Sequence, residues 1–342
     1  TSSWEDLFPS NPIENQPSRH LPPRFTPEIV VPPELTARSP QPHQIQAGLT
    51  DFLLDYDQEA ALKIDLDLEP DGYQLSSDFR LNVINGVAGS GKTLILLYRL
   101  RLLYHLYPEK NFLVLTHNRP LRNDLESRFC RLEGHLPKNI EWHTFFSWCY
   151  HLWPKQPPWV RPISQKNKKN TIQQVWTKYL KDTSITEFML QAEIDWIKDQ
   201  IPIDEEQYLN IDRRGRGFGL TADQRQQMWH AFRYYQKILG QIGKPDWGDI
   251  PQKLWKFQER NLIALPKYDA ILIDETQFFA PLWIDLVKKS LRTNNSHLFL
   301  VADPTQGFLG RSSTWKSMGI EARGRTYTLK KSYRTTQEIM RF

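Results

Sequence analysis

The chain has 342 residues, more than one hydrophobic core usually organises, so two or more domains are expected from size alone. Apolar residues make up 39% and charged residues 24%, which excludes a wholly disordered chain. No apolar run approaches the roughly 18 residues of a membrane span, and the first thirty residues lack a signal-peptide pattern. With Cys130 and Cys149 as its only cysteines, the chain is expected in a reducing, cytoplasmic setting without a membrane partner. Lys and Arg outnumber Asp and Glu by 44 to 39, and the resulting +5 permits a nucleic-acid partner without demanding one.

Residues 1–42 hold ten of the 24 prolines without apolar periodicity and read as an extended arm. From His43 to Tyr56, the residues Ile45, Leu49, Phe52 and Leu53 stand at helical spacing. Phe79–Ile84 is an apolar run closing on Asn85-Gly86, as a buried strand would, and Thr93–Leu106 carries a broad apolar helical face. Strand, glycine-rich turn and helix in that order open an α/β unit. Asn111–Thr116 repeats the strand signal and Arg119–Phe129 the helical one. Between about 155 and 265, Trp176, Trp196, Trp229, Trp247 and Trp255 lie among helical patterns such as Gln226–Leu239; strand signals return at Ala270–Ile273 and His297–Val301. The predicted fold class is α/β, a parallel sheet in two parts (43–154 and 266–322) interrupted by a mostly helical insertion over 155–265.

Gly86-Val87-Ala88-Gly89-Ser90-Gly91-Lys92-Thr93 fits G-x-x-x-x-G-K-[ST], between the predicted strand and helix where the mechanism requires it. Gly86, Gly89, Ser90 and Gly91 let backbone N–H groups converge on phosphate oxygens, and the helix N-terminus adds its positive end. Lys92 neutralises the β/γ-phosphates and Thr93 offers a hydroxyl to Mg²⁺. Tyr268 to Asp274-Glu275 is an apolar strand ending in adjacent carboxylates, which at the C-terminal edge of a parallel sheet face the same crevice. Asp274 is suited to hold Mg²⁺ and Glu275 to polarise an attacking water. The sequence therefore predicts a P-loop NTPase.

Together these residues resemble the ATP-dependent helicases of superfamily 1, most closely the UvrD/Rep type used in DNA repair. Asp274-Glu275-Thr276-Gln277 is similar to the D-E-x-Q box, and Ala302-Asp303-Pro304-Thr305-Gln306 to G-D-x-x-Q. Ser332-Tyr333-Arg334-Thr335 resembles N-Y-R-S, and Asp246-Trp247-Gly248-Asp249 echoes D-F-x-D-L. The resemblance implies a RecA-like sheet that uses ATP and Mg²⁺. It implies adenine contacts for Gln58 and Tyr333, and γ-phosphate contacts for Gln306 and Arg334. It implies single-stranded DNA contacts for Thr116, Asn118 and His143, with RNA left open, and 3′-to-5′ translocation. Residues 323–342 would begin a second RecA-like domain, so the chain reads as an N-terminal half that needs the remainder of its polypeptide for activity.

Some positions depart from the family pattern. Leu309 stands near the place of a base-stacking aromatic, and Trp315 reads as a core residue. Cationic candidates for a strand-binding track in the insertion are Arg161, Lys166, Lys168 and Lys169, then Arg213, Arg214 and Arg216. Cys130, His135, His143, Cys149 and His151 fall within 22 residues but match no paired zinc spacing, so packing is their expected role. The alternative to a motor is a non-hydrolysing, nucleotide-gated nucleic-acid-binding or scaffold protein.

Overall fold

The computed structural model describes residues 54–64, 80–213, 216–292, 296–305, 315–316 and 318–332, with the backbone of Val30–Val31. The predicted arm supplies β1 (Val30–Val31), which pairs in parallel with β2 (Leu54–Asp55). The helix expected over His43–Tyr56 is corrected at its end. Residues 54–55 are extended, and α1 (Tyr56–Lys63) starts only after them, because the Asp55 carboxylate accepts from Gln58 N at 2.7 Å and caps a new helix. Residues 43–53 lie outside the described residues.

The central sheet is built from β3 (Arg80–Gly86), β4 (Phe112–Thr116), β5 (Ile140–Thr144), β6 (Ala270–Ile273), β7 (His297–Ala302) and β8 (Thr326–Leu329). Its order is β5-β4-β6-β7-β3-β8, and every pairing is parallel. Strands of such a sheet are buried on both faces. Alternate residues accordingly feed two cores. Leu113, Leu115, Ile271, Ile273, Leu298 and Leu300 face one side, while Phe112, Val114, Leu272, Phe299 and Val301 face the other. The second side is covered by α1, α2 (Lys92–Leu106) and α3 (Arg119–Glu133). The first is covered by α4 (Phe145–Leu152), α9 (Asp249–Glu259) and α10 (Pro281–Lys289), with Phe145 and Trp283 stacked at 4.3 Å. Cys149 is buried in that core, and Trp315 packs against it.

Three sheet-associated elements escaped the sequence reading. The strand β5 is an edge strand of only five residues whose Glu141 faces solvent, so it lacks a continuous apolar run. The nine residues of α10 put six into the core, Pro281, Leu282, Trp283, Ile284, Leu286 and Val287, and so short an apolar run does not distinguish a helix from a buried strand by periodicity. At the other edge, β8 pairs with β3 although it lies within the span expected to begin a second domain, so the first sheet extends past residue 322.

The insertion contains α5 (Gln165–Tyr179), α6 (Glu187–Asp199), α7 (Glu205–Asn210) and α8 (Ala222–Ile242) around a separate core that includes Val175, Ile194, Tyr208 and Trp229. The helix α9, expected inside the insertion, packs through Ile250 and Leu254 onto the sheet. Three of the cations proposed for a nucleic-acid track are spent internally. Arg213 and Arg216 both ion-pair with the buried Glu193, and their guanidiniums lie 5.5 and 5.0 Å over the Trp196 ring. Lys168 pairs with Asp195 and reaches Asp246 at 4.0 Å. A loop guanidinium beside a buried carboxylate gains far more from that partner than from screened solvent. Arg214 lies outside the described residues.

Burial pushes the Glu193 carboxyl up, but Arg213, Arg216 and the Tyr208 hydroxyl outweigh it and hold the group below the usual carboxylate range. Its contribution to stability is therefore present above its ordinary value of 4.5 and is lost as pH falls below it. Glu193→Gln should destabilise the insertion by about 3–5 kcal/mol at neutral pH, since it strands two buried guanidiniums. Urea unfolding followed by tryptophan fluorescence at pH 7 and pH 4 checks this, the difference from wild type narrowing in acid.

Candidate functional site

The parallel arrangement brings the C-terminal ends of all six strands to one edge, and the residues there form the crevice. The loop after β3 carries Gly89 and Gly91 at φ +78° and +84°, a region that L side chains avoid. A Cβ on Gly91 would also lie 2.2 Å from Gln58 Nε2. The loop thus leads through the left-handed Gly91 into the N-terminus of α2, whose first N–H groups suit an anion. Lys92 Nζ donates to the carbonyls of Gly86 and Val87 at 2.8 Å each and lies 3.4 Å from Asp303 Oδ2. Ser90 Oγ is buried without a hydrogen-bond partner among the described residues, an unfilled polar group inside the cradle.

Thr93 and Asp274, 181 residues apart in sequence, meet through a hydrogen bond of 2.9 Å from the threonine hydroxyl to Asp274 Oδ2. Asp274 is fully buried at the end of β6. Burial, and then the adjacent Glu275 charge, push its carboxyl up to about 6, against the opposing pull of the Thr93 hydroxyl and the Glu275 N–H. Glu275 itself adopts the left-handed conformation, φ 55° and ψ 43°, which costs a non-glycine residue roughly 1–3 kcal/mol. The strained turn sends the two acids different ways. Asp274 points into the loop, while Glu275 remains half-buried at the crevice.

Gln277, in the sequence one letter of the D-E-x-Q box, is a further residue of the site. Gln277 Nε2 donates to Glu275 Oε2, and Gln277 Oε1 accepts from Asp303 N at 3.0 Å, so one amide ties the end of β6 to the end of β7. Its signal was its place three residues after Asp274, in a 3-10 turn (Thr276–Phe278) that turns it back on Glu275. Asp303 is in turn held by the Thr305 N–H and hydroxyl at 3.0 and 2.6 Å.

Two side chains reach the loop from outside. Gln58, buried on α1, donates from Nε2 to Ser90 O at 3.0 Å and accepts the Asp55 N–H at 3.0 Å, so both ends of its amide are engaged. Ser332 Oγ donates to Ala88 O at 2.9 Å. Gln306, Tyr333 and Arg334 lie outside the described residues. Of the residues expected to touch nucleic acid, Thr116 is buried with its hydroxyl donated to Asn118 O at 3.1 Å. Asn118 is exposed but caps α3 by accepting Leu121 N at 2.9 Å. His143 is half-buried, 3.3 Å from Ser147 Oγ and 3.4 Å from Glu141. Beside them the exposed His117 ring lies 4.8 Å from Phe278, a pairing with no marker in the sequence.

Among the described residues no group of three or more His, Cys, Asp or Glu side chains is placed to hold a metal ion. The donor set formed by Thr93 and Asp274 instead suits Mg²⁺, which takes one or two protein oxygens and completes its octahedron with phosphate and water. No helix among the described residues is long and apolar enough to cross a membrane. The model of one protein family, described as the UvrD/REP helicase N-terminal domain, matches residues 76–310, well over half of the chain and inclusive of the loop, both acids and Asp303. No curated protein gives a significant match.

Gly91→Ala places a methyl group against Gln58 at an unfavourable φ, and should weaken nucleotide binding by at least about tenfold while the tryptophan core melts as in wild type. Titration with a fluorescent nucleotide reads this. Because the Asp274 carboxyl is pushed up to about 6, protons compete with a divalent cation there. Mg²⁺-dependent affinity should fall as pH drops from 7.5 to 5.5, and the fall should be absent in Asp274→Asn, whose affinity is low throughout.

Proposed function

The chain belongs to the UvrD/Rep helicase family through its N-terminal domain, and on that footing we propose that it binds ATP with Mg²⁺ between Lys92 and Asp274 and couples hydrolysis to 3′-to-5′ movement on single-stranded DNA, with a second RecA-like domain closing the site. The observation that carries this reading is the 2.9 Å bond between Thr93 and Asp274, which puts the phosphate loop and the acidic strand end at one point.

In this reading Lys92 exchanges the carbonyls of Gly86 and Val87 for β/γ-phosphate oxygens, and the loop N–H groups and Ser90 Oγ take the remaining phosphate oxygens. Thr93 and Asp274 hold Mg²⁺, which when bound neutralises charge developing on the phosphates. Glu275 accepts a proton from the attacking water, oriented by Gln277, while phosphate and ADP leave. Gln58 releases Ser90 to read adenine, and Gln306, Tyr333 and Arg334 complete the nucleotide contacts. The exposed His117 and Asn118, with the half-buried His143, receive the nucleic acid, and Phe278, which pairs with His117, shares its turn with Gln277. That adjacency supports coupling of strand binding to hydrolysis.

With the second domain present on the same polypeptide, Lys92→Ala should abolish nucleotide binding. Glu275→Gln should keep it but lose about 10²–10⁴-fold in turnover. Oligo-dT should stimulate wild-type turnover, less at higher salt. Equal turnover by wild type and Glu275→Gln would remove Glu275 from its role, and nucleotide binding with no turnover under any polynucleotide would favour a nucleotide-gated scaffold.

A further inference from the structure

The helical insertion carries a groove of about 1600 Å³ between the ends of α5 and α6, the 202–205 segment, α8 and α9. It is lined by Lys178, Arg233, Lys237, Lys244, Lys253 and Lys256, all exposed. Among the described residues none of these six forms an ion pair, in contrast to Lys168, Lys198, Arg213 and Arg216 of the same insertion. Leaving so many like charges around one concavity is unfavourable unless an anionic partner occupies it.

Three features of the groove select the partner. Its aromatic surface is largely engaged, with Lys178 Nζ 4.1 Å over the Tyr234 ring, Tyr179 packed on Tyr234 at 5.1 Å and Trp229 stacked on Tyr208 at 5.2 Å, which leaves few open faces for bases to stack on. Asp204 and Glu205 line it too, and a ligand charged at every unit would meet them, whereas a polypeptide sets neutral residues opposite. Ile201 and Ile242, each next in sequence to a lining residue, are 41% and 49% exposed, and Gly240 and Gly243 of the lining leave open space over bare backbone. Cations, neighbouring exposed aliphatic residues and a backbone free for close approach match acidic residues alternating with apolar anchors. We propose that this groove docks an acidic, amphipathic peptide segment of a partner protein.

Fluorescence anisotropy on the full 342-residue chain tests the assignment, using a labelled peptide of about five helical turns (~18 residues) with glutamate and leucine on opposite faces. Binding of micromolar order is expected, weakened by at least about tenfold when every glutamate becomes glutamine and, separately, in Lys237→Glu/Lys253→Glu. Both lysines are exposed and unpaired, so this variant should melt like wild type and bind nucleotide unchanged. No binding of the peptide, or binding indifferent to the charge reversal, overturns the proposal. Loss of oligo-dT or duplex DNA binding in the same variant, with peptide binding unaltered, overturns it in favour of a nucleic-acid groove.

Discussion

The hydrogen bond from Thr93 to Asp274 joins two segments that the chain visits before and after its whole helical insertion. It depends on one register of β3 and β6 across the β7 strand between them: Val83 and Ile273 both lie opposite Leu300, so β3 continues to Gly86 past the level at which β6 ends. A one-residue slip of β6 would exchange the residues it gives to the two cores and carry Asp274 out of the crevice. Burying Asp274 completely is unfavourable in isolation, and its raised pKa records that. The strained Glu275 turn and the Gln277 bridge to Asp303 keep the acids where they are despite that cost.

The insertion solves a different electrostatic problem. It buries Lys198 between Asp246 and Asp249, 2.8 Å from each, and Glu193 between two arginines. Such clasps are poor sources of net stability but are very costly to break by removing one partner. They pin a turn and a loop that otherwise offer few apolar contacts. Of the charges that resembled a polyanion track, Lys168, Arg213 and Arg216 are therefore structural, while Arg161, Lys166 and Lys169 stay exposed.

Much of this was legible in the sequence. The loop from Gly86 to Thr93 and the acids at 274 and 275 were marked because phosphate chemistry tolerates few residue types at fixed spacing, and four buried strands announced themselves as apolar runs. Expectations failed where identity was read without its partner. Arg213 and Arg216 look solvated until Glu193 is placed beneath them, although it is 20 residues or more away in sequence. The strand β5 alternates too briefly to register, and the helix expected to run to Tyr56 depended on Asp55, whose carboxylate restarts the helix. The groove had no linear signature, since its six cations come from three separate stretches of chain.

The turn from Asp246 to Asp249 bears on how separable the insertion is. Each of these aspartates accepts the other's backbone N–H, at 2.9 and 3.1 Å, and Tyr235 OH donates to Asp246 at 2.8 Å. A Cβ on Gly248 would lie 2.9 Å from Lys198 Cδ, so the turn is moulded around a lysine that α6 supplies. The next residues are already α9, seated on the sheet, and Trp247 rests edge-on against Phe146 of α4 at 5.2 Å. Excision of the insertion, or its exchange for a foreign module, would remove Lys198 and strand the buried carboxylates of Asp246 and Asp249 beside a helix seated on the sheet. The insertion and the sheet are thus separable only at a boundary that keeps Lys198 and both aspartates together.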